Sequence, residues 1–273
     1  MSVAALRCSG LVHVYRVSGT DVAALRGIDL EIAAGRSLAL LGPSGSGKST
    51  LLQIVAGVLR PSAGRVEIFG HDLASASGRQ IERIRAESLG VLLQGSASNL
   101  LLHETAGRNV SFVARDAEGR SAGLEVLAAE GLDRDRRPVS LLSPSEQQVA
   151  ALAVAVSARP ALLVADEPTS RLDRPGRERM LDLMLETAHR FGAAMMVVTH
   201  DEAVARRMDR TIHLRDGRVG EEVTARGRYA VLGTDLSVQL PPQVLNDRWR
   251  PGVLVEAVTT EAGVELRIVE HEE

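Results

Sequence analysis

Gly42-Pro43-Ser44-Gly45-Ser46-Gly47-Lys48-Ser49-Thr50 is the stretch whose reading decides the fold. It matches G-x-x-x-x-G-K-[ST], the P-loop, in which glycines let successive backbone N–H groups turn inward on a phosphate chain. The helix expected after it aims its positive end at the same place. Lys48 is the only lysine of the chain, and every other long cationic side chain is arginine. Such a composition exchanges lysine for arginine wherever a diffuse positive charge is enough. A slim ammonium reaches between β- and γ-phosphates as a point charge, where the planar guanidinium fork is too bulky and too directional. The rival reading, a turn that merely caps a helix, is set aside by the full match and its context. Gly42, Ser44, Gly45, Ser46, Gly47, Lys48, Ser49 and Thr50 are therefore the expected contacts of a nucleoside triphosphate.

The strand signal Leu38-Ala39-Leu40-Leu41 feeds into this loop, and Ser49 to Val58 reads as a helix with Leu51, Leu52, Val55 and Leu59 on one face. Upstream, Leu11-Val12-His13-Val14-Tyr15 and Ile28-Asp29-Leu30-Glu31-Ile32 carry strand signals. Downstream, Arg65 to Gly70 and Leu89 to Gln94 read as strands, and Thr105 to Ala158 is helical with a polar break at residues 133–138. Two fully apolar strands, Ala161 to Ala165 and Ala193 to Val198, bracket an amphipathic helix near Arg177 to Phe191. Apolar strands alternating with helices argue for a mostly parallel sheet covered on both faces. From Gly220 to Gly227 the pattern reads as a charged linker before a β-rich tail.

The chain has 273 residues, enough for one large α/β domain and a small appendage. A net charge of −3 gives no electrostatic case for nucleic acid or an anionic membrane. The longest apolar run, around Val149 to Ala165, is broken by Arg159 and Pro160, short of the ~18 residues a membrane span needs. Cys8 is the only cysteine, so no internal disulfide forms and a reducing cytoplasm fits. The first residues lack the zones of a signal peptide. Aromatics make up 2% of the chain, so Leu, Val, Ala and Ile must build the core.

Ala161-Leu162-Leu163-Val164-Ala165-Asp166-Glu167 is an apolar strand ending in two carboxylates, a Walker B pattern. Asp166 suits Mg²⁺ through its water shell, and Glu167 suits polarising an attacking water. A second apolar strand ends in Thr199-His200-Asp201. With these motifs in this order, the chain resembles the ABC transporter ATPase family over roughly residues 1–219. The resemblance implies an α/β P-loop fold of ABC type. Its parts are a mixed core sheet with helices, an antiparallel β subdomain and a helical subdomain at about residues 95–158. A small β-rich extension follows at 220–273. ATP and Mg²⁺ are the implied cofactors, with Ser49, Gln94 and Asp166 toward the metal. Tyr15 is implied to stack on adenine, Gln94 to sense Mg²⁺ and the membrane partner, Glu167 to activate water and His200 to contact the γ-phosphate. Leu172-Asp173 matches the loop that crosses to the other subunit. Bland rivals are an ordinary strand tyrosine, a solvated glutamine and a core histidine.

The family signature Leu-Ser-Gly-Gly-Gln is replaced here by Leu142-Ser143-Pro144-Ser145-Glu146, and Val149 and Val154 stand where arginines are usual. Ser-x-x-Glu reads as a capping box, and Pro144 suits the first helical position but has no N–H to donate. Ser143 is retained as a donor toward the opposite subunit's phosphate. A carboxylate beside phosphate oxygens would cost on the order of 1–4 kcal/mol. The implied assembly is asymmetric: this chain pairs with a second ABC ATPase whose signature is intact, or else with itself.

Residues 228–269 run strand, Leu240-Pro241, short helix, Pro251-Gly252 and a hairpin of Val253 to Val258 with Val264 to Val269, a pattern resembling the AbrB-like swapped-hairpin domain. After Gly220 acidic residues outnumber basic ones about twofold, which argues against nucleic acid and for dimerisation or regulation. A plain β-rich extension packed on the ATPase core is the rival. The style around Walker B, with Asn99-Leu100-Leu101 after Gln94, looks like the lipoprotein-release, macrolide-efflux and FtsE-type ATPases. Those imply an integral membrane permease, FtsX/MacB-like, and a peripheral place on the inner face of the plasma membrane. The alternative function is a regulatory or mechanotransmission ATPase that controls an extracytoplasmic enzyme and moves no solute.

Overall fold

The computed structural model describes residues 4–95, 98–233, 237–240, 245, 249, 255–260 and 263–268. In chain order the first elements are β1 (Ala4–Val17), β2 (Thr20–Ala33), β3 (Ser37–Leu41), α1 (Lys48–Val55), β4 (Ala63–Ile68), β5 (His71–Asp72), α2 (Gly78–Ser88) and β6 (Leu89–Leu92). Then follow α3 (Ala106–Val113), α4 (Ala117–Ala129), α5 (Pro144–Ser157), β7 (Leu162–Asp166), α6 (Arg174–Phe191), β8 (Ala194–Val198) and α7 (Glu202–Ala205). The last are β9 (Arg210–Arg215), β10 (Arg218–Thr224), β11 (Gly227–Ala230), β12 (Val255–Thr260) and β13 (Gly263–Ile268).

Two sheets share the core. The antiparallel one has order β2-β1-β4-β5, with β1 and β2 joined through the two-residue turn Ser18-Gly19, both at positive φ. Such a turn matches the twist of the strands it joins. The larger sheet has order β11-β10-β9-β3-β8-β7-β6, parallel from β9 to β6 and closed on one edge by antiparallel β10 and β11. Its central strands are buried on both faces, and alternation sends their side chains into two separate clusters. In β8, Met195 and Val197 join the cluster built with α5 and α6. Ala194, Met196 and Val198 join the cluster built with α1 and the antiparallel sheet. The mixed α/β core is as expected.

The structure departs from the sequence reading at four places. Residues 220–227, read as a linker, form most of β10 and the turn into β11. Val219 pairs opposite Leu214, and both carboxylates of this stretch are paired, the buried Glu221 with Arg228 at 2.8 Å and Glu222 with Arg210 at 2.9 Å. Helix α2 went unread although Ser77 and Gln80 form a capping box, because only Ile84 of that helix is buried and its apolar stripe is too thin to see. Helix α1 ends at Val55, three residues before the expected Val58. The terminal hairpin forms as β12 and β13 in a two-stranded sheet of its own, its first strand running to Thr260, two residues past the expected Val258, while Val253 and Val269 lie outside the described residues. The short helix expected after Leu240-Pro241, and Pro251-Gly252, lie outside the described residues.

Helix α5 is buried almost all round from Gln148 to Ser157. That burial accommodates Val149 and Val154 where arginines were expected. None of the helices among the described residues is long and apolar enough to cross a membrane.

Candidate active site

The carboxyl ends of β3, β6, β7 and β8 converge on one cavity of about 670 Å³. Ligand sites of open α/β sheets lie at such strand ends. Tyr15, Gly42, Ser44, Gly45, Lys48, Ser49, Thr50, Gln94, Asp166, Glu167 and His200 line it, so the structure brings together most of the residues singled out above. Gly47 lines it too, and Ser46 is buried beneath with its hydroxyl unpaired.

The loop needs its glycines. Gly47 caps α1 at φ 103°, and a Cβ there would stand 2.5 Å from the Ala24 carbonyl oxygen. A Cβ on Gly42 would stand 2.2 Å from the Leu214 carbonyl oxygen. Both contacts are with backbone that cannot give way, so only glycine lets the loop curl over the start of the helix. Lys48 donates to the carbonyls of Gly42 at 2.7 Å and Pro43 at 2.8 Å. Burial pulls its ammonium below the usual lysine value, with Glu167 and Asp166 opposing the shift.

Across the cavity, burial raises the Asp166 carboxyl above its ordinary value; adjacent Glu167 adds to the rise and Lys48 opposes it. Two neighbouring carboxylates facing one ammonium leave negative charge that a cation would offset. The donor types at hand are the Ser49 hydroxyl, the Gln94 amide and the Asp166 carboxylate, hard oxygen ligands of the kind Mg²⁺ takes alongside waters and phosphate. No cluster of three or more His, Cys, Asp or Glu of metal-binding geometry occurs among the described residues.

Glu167 is held hard. Its φ is +47°, a region costly for a residue with a side chain, and its N–H donates to the Val198 carbonyl at 2.9 Å. One carboxylate oxygen lies 2.7 Å from His200 Nδ1, and the other accepts from the Thr199 hydroxyl at 3.3 Å. His200, expected on the γ-phosphate, is thus turned onto Glu167 while most of its ring stays exposed. Sequence reasoning missed the Thr199 contact; its only signal was a hydroxyl beside His200 at a strand end.

Tyr15 forms one wall, its hydroxyl 3.3 Å from the Thr50 hydroxyl and its ring edge-to-face with His13 at 4.6 Å. The loop after β6 that carries Gln94 is fastened by Asn99, which accepts from the Leu93 N–H at 2.8 Å and donates to the Val91 carbonyl at 2.7 Å. Ser143 and Asp173 do not line the cavity. Each caps its own helix instead: Ser143 accepts from the Glu146 N–H, and Asp173 accepts from the Gly176 N–H at 2.9 Å. The capping box read at Ser143 and Glu146 is formed in full, with Pro144 in the first turn.

The comparisons agree with this geometry. A family model described as ABC transporter matches residues 25–170. The lipoprotein-releasing system ATP-binding protein LolD 1 of Caulobacter vibrioides is 38% identical, over 82% of this chain and 98% of that protein. The macrolide export ATP-binding/permease protein MacB of Rhodopirellula baltica is 37% identical over 80% of this chain, which spans 33% of that longer protein. Among solved structures, a dimeric post-hydrolysis state of an ATP-binding cassette bound to ADP and Pi superposes with a TM-score of 0.73. It is 31% identical and covers 81% of this chain and 99% of that one.

Proposed function

This chain belongs to the ABC transporter family, as an ATP-hydrolysing subunit, and on that premise we propose how its residues divide the work. The P-loop amides and Lys48 bind the phosphate chain of ATP, and Tyr15 stacks on adenine. Ser49, Gln94 and Asp166 hold Mg²⁺, which when bound offsets phosphate charge. Glu167 takes the proton of the attacking water, and His200 swings from Glu167 to the γ-phosphate. The observation that carries this reading is the Glu167 carboxylate, held at its strained backbone by His200 and Thr199 across the cavity from Lys48. A general base oriented from both oxygens needs little reorganisation when water arrives.

Ser143 and Asp173 serve a second subunit, since both sit outside the cavity that their own chain lines. The partner is a second ABC ATPase with an intact signature, so that one of the two sites is completed well and the other poorly. The pair works on a membrane permease from the cytoplasmic face. Relatives named as lipoprotein-releasing and as ATP-binding/permease proteins favour transport over control of an extracytoplasmic enzyme. The extension over residues 220–273 serves dimerisation or regulation. It is tied to the main sheet through Arg228 on Glu221, and Gln239 packs against Gly220.

Single-turnover hydrolysis with Glu167→Gln tests the catalytic assignment. Turnover should fall about a hundredfold or more while ATP binding persists. Unchanged turnover would remove Glu167 from the mechanism.

A further inference from the structure

The turn before α5 carries a closed network of charges that the nucleotide cavity does not use. Asp135 accepts from the Arg137 backbone N–H at 2.8 Å, and its oxygens take the Arg137 guanidinium at 2.6 to 3.2 Å. The same guanidinium donates to Glu146 Oε1 at 2.8 Å. Glu146 Oε2 accepts from the Ser143 N–H at 2.6 Å. Both oxygens of Glu146 are therefore occupied, and its carboxylate folds back on the turn. The Ser143 N–H and then Arg137 hold that carboxyl below the usual range, so it stays ionised.

Donors are scarce at this helix start. Pro144 has no N–H, the Ser143 N–H is committed to Glu146, and the Glu146 N–H is committed to the Ser143 hydroxyl. Among the described residues, only the Ser145 N–H of the first turn has no hydrogen-bond partner. Local charge decides whether one free amide and one hydroxyl suffice to meet a phosphate. From Asp133 to Glu146 the chain has three carboxylates (Asp133, Asp135, Glu146) and three arginines (Arg134, Arg136, Arg137), a net of zero. Without Arg137 the balance turns negative, and the Glu146 carboxylate, still held through Oε2 by the Ser143 N–H, loses its countercharge next to the helix end.

We propose that Arg137 is a positioning residue for phosphate recognition: it keeps Glu146 on its cap and offsets its charge, so that the start of α5 can meet an ATP γ-phosphate. This rests on the reading above, in which Ser143 faces the nucleotide of a second subunit. Electrostatics at close range in a semi-enclosed interface is strong enough for one uncompensated charge to matter.

The test uses the complex isolated from its native cells through a tag on this chain, carrying Glu167→Gln to silence the well-completed site so that the remaining ATPase rate reports the site α5 completes, with thermal melting as the folding check. Arg137→Ala should lower turnover about tenfold, and added salt should restore part of the loss by screening. Glu146→Gln keeps the capping box, because glutamine serves equally at that position. In the Glu146→Gln background, Arg137→Ala should therefore change turnover less than about twofold, and Arg137→Lys in the native background should recover part of the rate. Equal losses in both backgrounds would overturn the proposal and leave Arg137 as a structural brace. A neutral Arg137→Ala beside an inactive Ser143→Ala would overturn it while keeping the two-subunit reading. If Ser143→Ala is neutral too, or the native complex does not hydrolyse ATP, that reading itself falls.

Discussion

Replacing Pro144 and Ser145 together by glycine should convert this chain into a better partner for itself. As it stands, the first turn of α5 offers one free backbone donor, the Ser145 N–H. Pro144→Gly adds a second, and Ser145→Gly clears the side chain between that turn and an approaching phosphate. A hydrogen bond to a charged group is worth about 1.5–3 kcal/mol, so one added donor predicts a gain of about ten- to a hundredfold in self-stimulated turnover. Ser143 and Glu146 are untouched, so the capping box and the Arg137 contact persist. The cost falls on stability: exchanging proline and serine for glycine in a first helical turn loses about 1–2 kcal/mol, mainly through the freer unfolded chain. A few degrees of melting temperature should go with it. The assay is ATP hydrolysis by the purified full-length chain as a function of protein concentration, with circular dichroism on each variant. Brisk, cooperative hydrolysis by the unaltered chain would refute the reasoning, because the helix start would then suffice as it is. So would a folded double variant with no gain.

Three further outcomes follow from the same geometry. Lys48→Arg should lose most ATP binding by calorimetry, because the guanidinium cannot repeat the compact contacts of the ammonium with the loop; near-native affinity would defeat the point-charge argument. Asp166→Asn should raise the melting temperature of the nucleotide-free chain while weakening Mg²⁺-dependent nucleotide binding, since burial and Glu167 already disfavour its charge. The folded carboxyl titrates above its unfolded value, so this penalty to the native state fades as pH falls through the folded value. Cys8, whose thiol burial and Asp29 push up to about 12, should resist alkylation at pH 8 until the chain unfolds, as followed by mass spectrometry.

By itself the sequence determined the nucleotide, the strand ends and the core sheet. The P-loop glycines, the Walker B carboxylates and the apolar strands are local patterns, each set by residues within one turn or one strand of each other. Their chain order was enough to bring Gln94, Asp166 and His200 to one cavity. Short range is also why Ser143 and Glu146 could be read as a capping box in advance, whereas helix α2, with only Ile84 buried, left too thin a stripe to be seen. Tertiary structure alone decided the rest. The +47° backbone at Glu167 and its hold by a histidine 33 residues away depend on β7 and β8 lying in register. The strand at 218–224 looked like a charged linker until Arg228 was seen opposite the buried Glu221. Arg137 belongs to a stretch legible only as a polar break, and the turn folds it between Asp135 and Glu146. A charge reads as exposed wherever its partner comes from a different element, because the pairing that neutralises it is made only when the elements pack.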